Sequence, residues 1–575
     1  MRRIICGILL AATVTAFACP GFCVDAFTTL GVMIDVSRGR VLKVDYLKTR
    51  LMRIRKMGYN AFMLYTEDTF KLTDEPKWGY MRGGYTLEEM KDVKAFADQL
   101  GMEMIPCIET LGHLERPLRW AEYADVRNGA STLLVGEEKT YALIDKMLAF
   151  WQEAVGGGRI HLNMDEAPGF AGGKCRWLPD EKTRFDVFMR HLGRVKELCA
   201  KRGFIETWIA GDAFYRVASK NGEYYMPDTM ASTELRARVP KNVRLVYWDY
   251  YHDSQEHCEG MIDGHASFGA EPVIYGGIQN WYHFLVDREK TIATAAPLLA
   301  AARKKGCREV FFSLWGDDGG YGIPEVDEEG LFACAELAAG RTAEPTDENC
   351  RRFQEITGHD YRSLVKLSEV LRHYADEWPD MIHEPTLLYD DPLYCGNVRN
   401  YLARKPSESA AGRDFAARHY YVSHYRDNTW RDNGANVLAD HLRVLRECSG
   451  LKGIPAPANA LVRTLAAKLA YELDILAAWK SKDRMALVRL AEKSLPVLIA
   501  RMKEFDEVFR ADWYRTSRPF GYELIQKRNA AQIARLEEAK RRLTDWLAGR
   551  AETIEELDET LCPFGLYQEN GVIGW

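Results

Sequence analysis

From Leu30 to about Gly340, short apolar, β-branched and aromatic runs alternate with longer stretches of helical periodicity, the rhythm of repeated β-α units. Eight runs have strand character: Gly31–Val36, Tyr59–Tyr65, Met102–Ile108, Arg159–Met164, Phe204–Ala210, Val243–Trp248, Glu271–Tyr275 and Glu309–Leu314. Two of the intervening helices carry clear punctuation. Thr86 can cap a helix with Glu89 returning the bond and Gly101 ending it, and a second helix over Thr183–Arg202 stops at Gly203. Eight strands in about 310 residues predict an α/β fold of the (β/α)8 TIM-barrel type. A doubly wound open sheet fits less well. No G-x-G-x-x-G follows an early strand, and polar residues stand just after almost every strand, where a barrel builds its active site.

Beyond about Thr342 the pattern changes to long Ala-, Leu-, Arg- and Glu-rich helical segments: Pro457–Trp479, Asp483–Val508 and Gly521–Trp546. The expected organisation is therefore an export signal over 1–23, a barrel over 24–341 and an all-α domain over 342–575. A loop-like aromatic and basic stretch, Trp513–Tyr522, interrupts the helices. It is read first as packing of a helix connection, with a glycan or subunit interface as the alternative.

The export signal rests on Arg2 and Arg3, an apolar run from Ile4 to Phe17, and Ala16-Phe17-Ala18 as a cleavage site. Cys19, just beyond it, is a candidate lipid anchor, with simple export to the periplasm or beyond preferred. No later stretch is long and apolar enough to predict a membrane span. A formal charge of -6, without a long basic run, argues against nucleic acid and favours a neutral partner such as a glycan. Of 13 cysteines, the ten outside the signal region show no C-x-x-C spacing, so neither metal nor cofactor is expected. The helical domain offers a candidate self-association face.

The chemistry lies at the strand ends. The fourth strand delivers Asp165-Glu166, two adjacent carboxylates that each disfavour the other's ionisation, so that one can stay protonated as an acid. Around them, successive strand ends supply Asp35 and Arg38, Glu67 and Asp68, Glu109 and His113, Asp212, Trp248 to Tyr251, Gln279 to Trp281, and Trp315 to Asp318. Indole faces suit the apolar faces of sugar rings, and carboxylates with an arginine suit hydroxyls.

Five ordered motifs, Asp35-Val36-Ser37-Arg38-Gly39-Arg40, Leu64 to Thr69, Glu109-Thr110-Leu111-Gly112-His113, Met164-Asp165-Glu166 and Trp315 to Gly320, resemble glycoside hydrolase family 20, the β-N-acetylhexosaminidases. The resemblance implies exo-acting, retaining removal of terminal β-linked GlcNAc or GalNAc, in which the sugar's own acetamido oxygen attacks the anomeric carbon. It further implies that Asp165 holds the acetamido nitrogen, that Glu166 is acid and then base, and that Arg38 binds hydroxyls at the non-reducing end. By the same resemblance Glu67 and His113 support Glu166, Trp248, Trp281 and Trp315 wall the sugar, Tyr250 meets the acetamido oxygen, and Asp317 joins the substrate-binding set. Where the family carries a small residue and glycine before the Asp-Glu pair, this chain has Asn163 and Met164, and Tyr321 stands where relatives place an acid. Two other readings remain open: a two-carboxylate retaining β-glycosidase with Asp317, Asp318 or Glu67 as nucleophile, and a non-catalytic glycan-binding barrel.

Overall fold

The computed structural model describes residues 27–167, 169–218, 224–225, 232–317, 319–371, 384–403 and 434–561. The expected signal, Cys19 and Asp318 lie outside these residues. Eight parallel strands close into a barrel in sequence order: β1 (Thr29–Asp35), β2 (Ala61–Thr66), β3 (Glu103–Ile108), β4 (Gly158–His161), β5 (Phe204–Ala210), β6 (Val243–Trp248), β7 (Val273–Gly277) and β8 (Glu309–Leu314). Closure comes from β1 on β8, with Thr29 opposite Glu309 and Ile34 opposite Leu314.

Each strand is followed by a principal helix: α1 (Val44–Met57), α2 (Leu87–Gln99), α3 (Glu138–Val155), α4 (Arg184–Lys201), α5 (Gly211–Ala218), α6 (Gln255–Ala266), α7 (Arg288–Lys305) and α8 (Pro324–Ala338). The period-2 alternation of the strands sorts the core into two layers. Met33, Met63, Trp208 and Phe311 fill the barrel interior, whereas Val32, Ile34, Phe62 and Phe312 face the helices. The capping box expected at Thr86 forms with Glu89, and Thr183 forms another with Asp186.

The C-terminal region is helical, built mainly on α9 (Ala456–Ser481), α10 (Leu495–Thr516) and α11 (Tyr522–Leu547). The run expected over Asp483–Val508 is continuous in direction but holds a π-helical turn at Leu490–Ser494. The loop expected over Trp513–Tyr522 is shorter than the sequence suggests: α10 continues through Thr516, because Trp513 and Thr516 are buried and the helix keeps an apolar face there. The remaining turn docks on the barrel mouth. Ser517 pairs with Leu42 in an isolated bridge, the Arg518 N–H donates to the Val41 carbonyl, and the Arg518 guanidinium reaches the Gly84 carbonyl and Glu89.

Arg40 completes this junction. Its guanidinium donates to the Gly320 carbonyl (3.2 Å) and the Thr516 hydroxyl (3.3 Å), and lies 4.2 Å over the Trp513 ring. Gly521 has φ 94°, and a Cβ there would sit 1.7 Å from the Gly39 carbonyl oxygen. The loops after β1 and β8 are thus held against α10 and α11 by contacts that leave no room for a side chain. The nine described cysteines are free thiols, seven of them buried, as expected of cysteine used as a small hydrophobe. Among the described residues no helix is long and apolar enough to cross a membrane.

Candidate active site

Strand β4 ends at His161, three residues before the expected Met164. The backbone explains why. Asn163, Met164 and Glu166 take φ of 51°, 69° and 40°, a left-handed conformation that costs roughly 1–2 kcal/mol per residue bearing a Cβ. Five of the eight positive-φ non-glycine residues among those described, these three with His113 and Tyr282, line the barrel mouth. Such strain persists only where the surroundings impose it. Met164 adopts it in the place where the resembling family carries glycine. Gly112 lets the third strand end approach: a Cβ there would lie 2.6 Å from the Asp165 carbonyl oxygen.

The kinked segment turns Asp165 and Glu166 toward His113. The His113 Nε2 stands 3.3 Å from Asp165 Oδ2 and 3.6 Å from Glu166 Oε2. The other Asp165 oxygen, Oδ1, is buried with no hydrogen-bond partner among the described residues. The two adjacent acids are pushed apart electrostatically. Burial raises the Asp165 carboxyl, but His113 outweighs it and holds the group ionised, below the usual carboxylate range. In return, burial would lower the His113 imidazole, and Asp165 overrides it to keep the ring protonated. Glu166 moves the other way: burial first, then the charges of Asp212 and Asp165, raise its carboxyl against the pull of His113 and Arg216. The Asp165 carboxyl is lowered while that of its neighbour Glu166 is raised, the opposed shifts that a division of labour between acid and charge stabiliser requires.

Asp212, fully buried at the start of α5, organises the far side. It accepts from the Glu166 backbone N–H (3.2 Å), the Trp248 indole N–H (3.1 Å) and Arg216 Nε (3.0 Å). Arg216 was not singled out in the sequence. Its only signal there is the i,i+4 spacing from Asp212, which is common on any helix.

Arg38 enters from the β1 loop. It lies 3.1 Å from Asp35, 3.4 Å from Glu67 and 3.9 Å from Asp317, with its guanidinium over the rings of Tyr65 and Trp315. Asp35 fixes that loop by accepting the backbone N–H groups of Ser37 and Gly316. On the opposite wall Trp248 stacks on Tyr250 (5.4 Å), which meets Trp281 (5.3 Å). A cavity of about 230 Å³ gathers Arg38, His113, Asp165, Glu166, Trp248, Tyr250, Trp281, Trp315 and Asp317.

Of the ten residues to which the family resemblance gives roles, Glu67 alone stays outside this cavity. It is 2% exposed and paired with Arg38 and Arg82, so it braces Arg38 and does not contact Glu166 as expected. Burial lifts its carboxyl to about 7 despite the two arginines, and the same enclosure denies it the access a nucleophile needs. Tyr321, at the position where relatives place an acid, is buried against Phe284 and beneath Arg528, away from the cavity.

Among the described residues one group has metal-ligand composition: Asp249, His252 and His257, with ligand atoms within 4.8 Å of one another. Its geometry suits hydrogen bonding better than a cation. The two imidazoles stack at 3.7 Å and 13°, so their in-plane lone pairs run side by side and do not converge. Asp249 meanwhile accepts from the Tyr247 hydroxyl and the backbone N–H groups of Tyr251 and His252. The cluster ties down the loop that carries Tyr250.

Residues 433–572 match the Glycoside Hydrolase 20C C-terminal domain. Over 232 residues, 39% of the chain, the sequence is 26% identical to hexosaminidase D of Bos taurus and of Homo sapiens. The aligned stretch spans 64% of the bovine and 46% of the human protein, less than two thirds of either. Among solved structures, a β-N-acetylhexosaminidase from Bacteroides fragilis is 17% identical, with 59% of this chain and 69% of that chain covered and a TM-score of 0.42. A chitobiase from Flavobacterium johnsoniae is 16% identical over 81% of this chain and 75% of that chain, with a TM-score of 0.43. The C-terminal domain match and the two hexosaminidase D sequences make this chain similar to members of glycoside hydrolase family 20.

Proposed function

We propose that the protein is an exo-acting, retaining β-N-acetylhexosaminidase that removes terminal β-linked N-acetylhexosamine from glycans by substrate-assisted catalysis. The observation that carries this reading is the state of Asp165, a residue that lines the cavity: one oxygen is held by a protonated His113, and the other is buried and unpaired among the described residues. An unpaired buried carboxylate oxygen is costly unless a ligand satisfies it. An acetamido N–H supplies the missing donor and leaves the acetamido oxygen aimed at the anomeric carbon. That oxygen attacks C1 while Glu166 gives its proton to the departing glycosidic oxygen. The resulting oxazolinium is then opened by water, whose proton returns to the Glu166 carboxylate. Arg38, braced by three carboxylates, closes the non-reducing end and restricts the site to chain termini. The names of the relatives, hexosaminidase D, agree with this reading.

The test is release of 4-nitrophenol from its β-N-acetylglucosaminide, β-N-acetylgalactosaminide, β-glucoside and β-galactoside by wild type and Glu166→Gln. Selective cleavage of the acetamido sugars that depends on Glu166 is expected. Equal cleavage of the plain hexosides would require a protein nucleophile and overturn the reading, and binding without turnover would leave a glycan-binding barrel.

We further propose export to the periplasm or beyond, with lipid attachment at Cys19 as the alternative, and self-association through the helical region, where Met485, Val497 and Leu524 are exposed. Mass spectrometry of the mature N-terminus and light scattering of the purified protein test these in turn. An intact N-terminus or a strict monomer would refute the respective proposal.

A further inference from the structure

Glu166 stands at the meeting of two cavities and is the one residue that lines both. The first is the site described above. The second, about 470 Å³, opens on the opposite side of Glu166 between the ends of β4 and β5. Its walls are Phe170, Phe188 and Val217, and its polar lining apart from Glu166 is two arginines, Arg184 and Arg216. A general acid that protonates a leaving-group oxygen has the cleaved sugar on one side and the leaving group on the other. The second cavity therefore occupies the leaving-group side.

Its charge is unbalanced. Arg184, exposed at the first turn of α4, has its guanidinium 5.4 Å from the Phe170 ring centre and no carboxylate within ion-pair distance among the described residues. Arg216 spends its Nε on Asp212, while its outer nitrogen Nη2 lies 3.6 Å from Glu166. Planar guanidiniums over an apolar floor suit carboxylate or sulfate groups carried on a ring. We propose that the second cavity is the leaving-group subsite and that it selects an anionic sugar, one bearing a carboxylate or a sulfate, as the residue to which the terminal N-acetylhexosamine is attached.

This rests on the hydrolase reading above and adds its substrate class. An electrostatic consequence supports it. Burial, Asp212 and Asp165 raise the Glu166 carboxyl, whereas Arg216 is among the groups that lower it. An anion paired with Arg216 weakens that opposing pull, so the acid is held protonated most firmly when the preferred leaving group is bound.

The experiment compares kcat/KM for three disaccharides in which the same β-linked N-acetylhexosamine is joined to a uronic acid, a sulfated hexose or a neutral hexose, using wild type and Arg184→Gln. The 4-nitrophenyl N-acetylhexosaminide serves as reference. Wild type is expected to favour at least one anionic disaccharide about tenfold, with the preference shrinking as salt rises, because a partly exposed guanidinium is screened. Arg184→Gln should erase most of that preference. Which of the two acids gains distinguishes carboxylate from sulfate recognition. Equal or better cleavage of the neutral disaccharide, with the 4-nitrophenyl substrate still cleaved, overturns this inference alone. No cleavage of any acetamido substrate overturns it together with the hydrolase reading. A preference that survives Arg184→Gln unchanged refutes the arginine-lined subsite, and an unchanged thermal unfolding midpoint confirms that the comparison is between folded proteins.

Discussion

Replacement of Asp165 by asparagine keeps the shape of the site and removes one charge. In the proposed reaction the acetamido group is neutral in the bound substrate and becomes cationic as the oxazolinium forms, so the Asp165 charge matters chiefly in the transition state. Two opposite charges about 4 Å apart at an effective dielectric of about 20 attract by about 4 kcal/mol. Since each ~1.4 kcal/mol is a factor of ten, losing most of this lowers kcat/KM about a thousandfold. The ground state loses only the difference between a charge-assisted and a neutral hydrogen bond, about 1 kcal/mol, so KM rises no more than about fivefold. The assay is initial rates on 4-nitrophenyl N-acetyl-β-glucosaminide, with thermal unfolding as a fold control because His113 also loses its partner. A fall in kcat of less than about tenfold, or a loss confined to KM, would show that Asp165 binds the substrate without stabilising developing charge.

Three other outcomes follow from named contacts. Asp212 is one of the charges that raise the Glu166 carboxyl, so Asp212→Asn should move the alkaline limb of the kcat/KM profile to lower pH, and an unmoved limb would sever Glu166 from that role. Gly521→Ala forces a Cβ against the Gly39 carbonyl at φ 94°; it should cost about 2 kcal/mol or more and raise KM through the Arg38 loop, and an unchanged denaturation midpoint and KM would show that the junction yields. Met164→Gly relieves about 1–2 kcal/mol of backbone strain but loses a buried side chain worth about 2–5 kcal/mol, so net destabilisation of up to about 4 kcal/mol is expected from denaturant titration, and a more stable variant would reverse that ranking.

The barrel was legible because strand periodicity reports which faces are buried, and the strand ends carried the polar residues that now share one cavity. What periodicity does not report is φ. Residues Leu162 to Met164 look like strand because Leu162 and Met164 continue the apolar alternation of β4 across Asn163, yet the left-handed turn at Asn163 and Met164 ends β4 early. Glu67 was placed at the right strand end with the wrong neighbour, since a motif names a residue but not which arginine faces it. Arg216 was invisible because its role depends on the distance between the ends of β4 and β5. The last turn of α10 reads as loop because aromatic and basic density is usual in surface loops, whereas here it marks residues that pack on the barrel.

That packing bears on how separable the two parts of the chain are. The barrel cut out alone would keep Asp165 and Glu166, but Arg40 would lose Thr516 and Trp513, and Leu42 and Gly39 would face solvent. The loop affected is the one that presents Arg38. The helical region is therefore not a portable appendage, and exchanging it for another helical partner without its Trp513–Gly521 stretch would retune, and not merely loosen, the Arg38 end of the proposed sugar site.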